Sequence, residues 1–298
     1  LTSSDGPPDA VPILERLRGC CDLLEPDEVD WTHSRTPLAA RGVRLDWLVA
    51  FVQAVDQAWR DVVRERDSQV RASTYFEGVP EPGPLPFSRH IETSKPAFLV
   101  PQIIKPMTRD LEVPLYARVP HAARGEPQVF LSHAWTNPLI GGNPFTTLYA
   151  IGAYRKAPET LCVWLDAVCY NQHRAEAIAD DMKTVIGSIG HIMLPMVNSV
   201  PFSRLWCLWE LLCAHVAGAD VDIREANGSV YDLGFLARGF DTEFESVTQA
   251  ETRLTADRTA ILDSMRTTFG SLENASEHIR SLVLGQLSKD SDKPWHRP

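Results

Sequence analysis

Val129-Phe130-Leu131-Ser132-His133-Ala134-Trp135 is the stretch on which the fold turns. Three residues that suit a pleated, buried surface run directly into a hydroxyl, an imidazole and an indole. A short apolar run ending in polar residues predicts a strand buried on both faces whose carboxyl end opens into a loop. The figure recurs downstream. Leu161–Leu165 leads into Asp166 and then Cys169-Tyr170-Asn171-Gln172-His173. Ile192–Met196 leads through Pro195–Ser199 into Arg204-Leu205-Trp206-Cys207-Leu208-Trp209-Glu210. Helical patterns over Thr146–Lys156, Ala175–Ile189 and Arg204–Val216 fill the gaps, and Val221–Arg224 reads as a fourth strand. Strand and helix alternating at short spacing predict an α/β fold, a parallel sheet with helices on both faces.

Outside this run the patterning changes. Two more helices are expected, one over Gln249–Phe269 with Leu254, Ile261, Met265 and Phe269, the other over Asn274–Leu287. Upstream, Leu45, Leu48, Val52, Val55, Trp59, Val62 and Val63 recur at three- and four-residue steps, which predicts an amphipathic helix over Arg44–Gln69. The tail to about Pro12 reads as loose. Between Val79 and Pro127 stand ten of the 22 prolines. Proline fixes φ and removes a donor, so an extended, irregular segment is expected there, anchored by Phe98, Leu99, Ile103 and Ile104. The chain thus divides into an N-terminal helical region (1–78), a Pro-rich wrapping segment (79–127), an α/β core (128–240) and a C-terminal helical extension packed on that core (241–298).

Composition excludes several classes. Over 298 residues, 44% hydrophobic and 23% charged residues are ordinary for a globular protein, not for a disordered chain, a collagen or a disulfide-dense miniprotein. Basic residues number 15 against 19 acidic through Glu126, and 14 against 20 beyond it. Neither half is basic, which argues against a nucleic-acid or anionic-membrane partner. No apolar run approaches the roughly 18 residues that a membrane-spanning helix needs. The six cysteines form no CxxC pair, and reduced core thiols in a cytoplasmic protein are expected. The chain opens on Leu1 in a polar stretch unlike a signal peptide. An initiator Met is absent, which suggests a trimmed chain and leaves room for an upstream segment.

Ligands of open parallel sheets bind beyond the carboxyl ends of the strands, so the residues there are the candidates. Glu210 stands out, because it is a carboxylate in an otherwise apolar helix, and burying one is costly unless it is paired or used. Trp206 lies four residues earlier on the same helix face. A carboxylate beside an indole suits a sugar, with the acid on ribose hydroxyls or a developing positive charge at the anomeric carbon. An ion pair of Glu210 with Arg204 or another Arg accounts for the sequence equally well. His133, Asp166, Cys169, His173 and His191 offer metal-ligand chemistry, but only Cys169 and His173 are locally spaced for it, and no metal is expected. Ser132 and His133 are neighbours on a strand and point to opposite faces, so they do not form a relay. Neither GxGxxG nor GxxxxGK[ST] occurs. Asn171, Gln172 and His173 suit ligand contacts or a capping loop about equally.

Three of these segments together, Val129–Ala134 (VFLSHA), Val163–Asp166 (VWLD) and Ser203–Leu211 (SRLWCLWEL), resemble in order and spacing the signature segments of Toll/interleukin-receptor (TIR) domains. The flavodoxin-like fold of that family matches the alternation read above. The match covers roughly Gln128–Ala226. A longer pattern through Ala256-Asp257-Arg258 and Gly270…Asn274, and back over Ile103–Thr108, is similar to a divergent TIR-like subfamily. The resemblance implies an NAD⁺-consuming glycohydrolase that cleaves the nicotinamide–ribose bond, with or without cyclising or transferring the ADP-ribose. NAD⁺ would be the substrate, and neither cofactor nor metal would be required. It implies Glu210 as the catalytic glutamate, with Ser132, His133, Ala134 and Trp135 on the nicotinamide side. Asp166 would stand at the mouth of the second strand, and Trp206 one turn from Glu210.

The sequence also departs from that family. Trp135 stands where an acidic or small residue is common. Ala167–His173 lacks the Arg-Asp-x-x-Pro-Gly type of loop, and residues 1–127 have no counterpart in a minimal TIR domain. Two other readings therefore stand beside the first: a non-catalytic module that self-assembles as a homo-oligomer, and an N-glycosidic enzyme acting on another nucleoside or nucleotide.

Overall fold

In a computed structural model of the protein, residues 11–18, 36–74, 94–140, 148, 161–173, 179–196, 198–225, 237–241 and 244–291 are described. Six strands form one sheet: β1 (Gly42–Arg44), β2 (Arg124–Gly125), β3 (Val129–Leu131), β4 (Cys162–Trp164), β5 (His191–Met196) and β6 (Asp220–Glu225). Their order is β2-β1-β4-β3-β5-β6. β4, β3, β5 and β6 run parallel, with Val129 opposite Val163, Phe130 opposite Ile192 and His191 opposite Asp220. All three residues of β3 are buried, as a central parallel strand requires.

The sheet is not parallel throughout. β1 pairs antiparallel with both β4 and β2, so the front of the chain and the α/β run share one sheet. Three and two residues are too few to show a period in sequence, which is why neither strand was anticipated. Their pairing depends on a close approach. A Cβ on Gly42 would lie 2.5 Å from the carbonyl oxygen of Gly125 and 2.7 Å from the Pro127 nitrogen, both fixed backbone atoms. Phe130 stacks on Trp164 with centroids 4.7 Å apart, and the Trp164 indole donates to the Leu38 carbonyl at 3.0 Å.

Among the described residues, the α-helices with defined bounds are α1 (Val11–Arg18), α2 (Leu45–Thr74), α3 (Pro96–Leu99), α4 (Lys105–Thr108), α5 (Asp166–Cys169), α6 (Ala179–Ile189), α7 (Leu205–Ala217), α8 (Thr255–Phe269) and α9 (Leu272–Ser291). α2 buries Leu45, Leu48, Phe51, Val52, Val55 and Trp59 along one stripe, as its period predicts. α7 is apolar nearly all round and is correspondingly buried. It is fixed at both ends of its first turns: Leu205 N–H donates to the Glu251 carbonyl at 2.9 Å, and the Trp209 indole donates to the Ala179 carbonyl at 2.9 Å.

The Pro-rich segment corrects the expectation of extended chain. From Pro96 to Thr108 it is helical, α3 passing through a π-turn at Val100–Ile104 into α4. Pro96, Pro101 and Pro106 stand five residues apart, and each opens its own turn, where a missing N–H leaves no bond unmade. Lys105 N–H closes the wide turn on the Val100 carbonyl. The prolines at 80, 82, 84 and 86 lie outside the described residues, as do the tail at 1–10 and nearly all of the helix expected over 146–156. α8 starts at Thr255 rather than Gln249, because Arg258 donates to the carbonyls of Thr248 and Ala250 and holds that stretch as a loop. Among the described residues no helix is long and apolar enough to cross a membrane.

Candidate functional site

The carboxyl ends of β3 and β4 and the second turn of α7 meet at one place. Ser132 N–H donates to the Met193 carbonyl at 2.9 Å, carrying the β3 ladder one residue past the strand and fixing the hydroxyl there. α7 brings Glu210 to it, and Ser132 Oγ donates to Glu210 Oε2 at 2.5 Å. Ser132 is fully buried and Glu210 is 7% exposed.

Among the described residues no cation pairs with Glu210. Arg204 does not fill that role, because its guanidinium turns to Glu251 at 3.3 Å. Burial raises the Glu210 carboxyl well above the ordinary carboxylate range. The Ser132 hydrogen bond works in the opposite direction, and the negative charge of Asp166 adds to the rise.

Asp166 begins α5. Its Oδ1 accepts from Ala167 N–H at 2.6 Å and its Oδ2 from the Trp135 indole at 2.7 Å. His133 Nε2 stands 3.8 Å from Oδ1, beyond hydrogen-bond reach. Ala134 is buried and its carbonyl accepts from Asn137 N–H at 2.8 Å. Ser132, His133, Ala134, Trp135, Asp166 and Glu210 thus belong to one constellation. Trp135→Phe removes the indole bond to Asp166 and should cost about 1 kcal/mol, a fall in Tm of about 2–4 °C by thermal melting.

Three sequence candidates have their hydrogen bonds elsewhere. The Trp206 indole donates to Asp257 Oδ2 on α8 at 3.1 Å. Asn171 donates to the Glu112 carbonyl at 2.6 Å and accepts from His173 N–H at 3.0 Å, while His173 Nε2 meets Thr108 Oγ1 at 2.8 Å. These are the contacts of a capping loop held against α4. Desolvation lowers the His173 pKa, and Lys105 and Arg109 push it the same way against Glu112. His191 pairs with Asp222 at 3.0 Å. Among the described residues no three His, Cys, Asp or Glu side chains are grouped as metal ligands.

Sequence reading missed Asn137, which is 2% exposed with no partner for its Nδ2. Thr136-Asn137-Pro138 has the composition of an ordinary turn, so nothing in it signals a buried amide.

The described cysteines are free and buried. Burial pushes the Cys169 thiol up to about 12 and raises Cys207 and Cys213 further. A Cys20→Ser/Cys21→Ser variant should therefore show less than one reactive thiol at pH 8 when folded and four when denatured, by colorimetric titration. Compared with known protein families, curated proteins and solved structures, the chain matches none.

Proposed function

We propose that the chain hydrolyses NAD⁺ at the nicotinamide–ribose bond, with Glu210 as the catalytic carboxylate. The observation that carries this reading is a buried glutamate with no paired cation among the described residues, held by Ser132 at the carboxyl end of the central strand. A carboxylate kept in this state lacks a positive charge. A pyridinium-bearing ribose supplies one, and its approach favours the ionised form of Glu210.

As the C1′–N bond breaks, the electron pair leaves on the pyridine nitrogen, neutralising it, so no strong acid is required. Positive charge builds at C1′ and the ring oxygen, facing a desolvated carboxylate where electrostatic stabilisation is strongest. Water adds to C1′, giving ADP-ribose, and its proton passes through Glu210 to solvent. Ser132 orients the carboxylate. Asp166, braced by Trp135, shapes the neighbouring strand end.

A flavodoxin-like, TIR-like arrangement fits the order of the parallel strands: in chain order they stand second, first, third, fourth. The deciding experiment follows nicotinamide release from NAD⁺ by the native protein and by Glu210→Gln. Absence of turnover by the native protein, with concentration-dependent self-association, would replace this reading by the assembly-module one.

A further inference from the structure

Directly after β3 the chain turns back on itself, and the segment around α3 holds that turn from outside. Ala97 N–H donates to the Trp135 carbonyl at 3.0 Å and Leu139 N–H to the Ser94 carbonyl at 3.2 Å. Ser94 Oγ donates to the Ile140 carbonyl at 2.6 Å. With these backbone groups satisfied, two side-chain atoms remain: His133 Nε2 and Asn137 Nδ2 are buried and make no hydrogen bond. Their residues are 7% and 2% exposed. Orphaned buried polar atoms are rare in folded proteins and call for a function or a missing partner. The 3.8 Å separation of His133 Nε2 from Asp166 Oδ1 is too long for a hydrogen bond, so Asp166 does not satisfy that atom.

We propose that Asn137, with His133 and Asp166, forms a subsite for a primary carboxamide and makes the enzyme selective for a leaving group that carries one. The inference rests on the reading of Glu210 as the residue that cleaves an N-glycosidic bond. A primary carboxamide presents one acceptor oxygen and two N–H donors. The Asn137 Nδ2 donor matches its oxygen. The Asp166 carboxylate matches an N–H, since each of its oxygens keeps a lone pair beyond the bonds from Ala167 and Trp135. His133 Nε2 takes whichever role its tautomer allows. A site built to hydrogen-bond a polar group rejects the analogue lacking it, because its own buried atoms then stay unpaired.

The test titrates nicotinamide and 3-methylpyridine, a ring of similar shape without the amide, into the native protein and Asn137→Leu by calorimetry. Native protein should bind nicotinamide at least about tenfold more tightly than 3-methylpyridine. Asn137→Leu should erase that preference while melting within about 2 °C of native, because Nδ2 had no bond to lose. If the leucine does not fold, Asn137→Ser makes the same comparison. A preference that survives in either variant, or is missing from the native protein, overturns the subsite and leaves a buried water as the partner of these atoms. NAD⁺ cleavage is assayed separately. Cleavage with an Asn137-independent preference sinks the subsite alone, whereas an Asn137-dependent preference without cleavage sinks the hydrolase reading alone.

Discussion

On the proposed mechanism, Glu210→Gln is expected to lower NAD⁺ cleavage about a hundred- to a thousandfold and, at neutral pH, to raise the melting temperature. The first effect is the loss of a desolvated negative charge facing the developing cation; removing one preorganised electrostatic group from such a site costs about 10²–10³ in rate. The second follows from linkage. The unfolded carboxyl titrates near its ordinary value of 4.5, and the folded one well above it. Between those two values the folded state holds the proton more tightly, so stability falls as pH rises through that window. Below 4.5 both states are protonated and the native protein keeps its full stability. Glutamine mimics the protonated acid at every pH. The variant should therefore match the native protein at pH 4 and melt at a clearly higher temperature than it at pH 8, in thermal melts across that range. A lower Tm for Glu210→Gln at pH 8 would mean that a cation compensates the carboxylate after all. Unchanged turnover would remove Glu210 from the mechanism.

Gly42→Ala should be the most damaging of the single-methyl additions. The new Cβ would meet the Gly125 carbonyl oxygen at 2.5 Å and the Pro127 backbone at 2.7 and 2.9 Å, and none of these atoms can rotate away. Overpacking against fixed backbone costs about 3 kcal/mol, a loss in Tm of about 6–10 °C. Gly125→Ala is the control. There the clash, at 2.6 Å, is with the Cys162 sulfur, a side-chain atom. Its cost should be smaller, and Cys162→Ala should recover much of it. Equal melting of Gly42→Ala and native protein would show that β1 and β2 part from the sheet without consequence.

Three of the four parallel strands were legible because each carries its own signal: Val129–Leu131, the run around Cys162–Trp164 and the run at His191–Met196 are apolar, bounded and strand-sized. α2 and α7 announce themselves by period and by saturation with apolar residues. β1 and β2 do not. Gly42-Val43-Arg44 forms a strand only because the edge of β4 is there to pair with it, and that edge is a tertiary fact. The helical turns of Pro96–Thr108 were hidden by a residue-by-residue rule about proline, although the five-residue spacing was present in the sequence. Within the site, Glu210 was legible as a misplaced charge and Ser132 and Asp166 as strand ends. Asn171 and His173 were ambiguous because a polar loop looks the same whether it greets a ligand or Thr108 and Glu112. Asn137 was invisible, since burial and a lack of partners are properties of the folded chain.

The two short antiparallel strands also bear on colloidal behaviour. A parallel sheet ending at β4 would present a row of unpaired amides and carbonyls, a template on which another chain can add. β1 covers that row, and β2 reduces the new border to two residues, Arg124 and Gly125. Arg124 spends its guanidinium on the Val119 and Ala117 carbonyls at 2.7 and 3.4 Å. A border of two residues is too short to nucleate strand addition, so at this side the sheet is protected from templated aggregation.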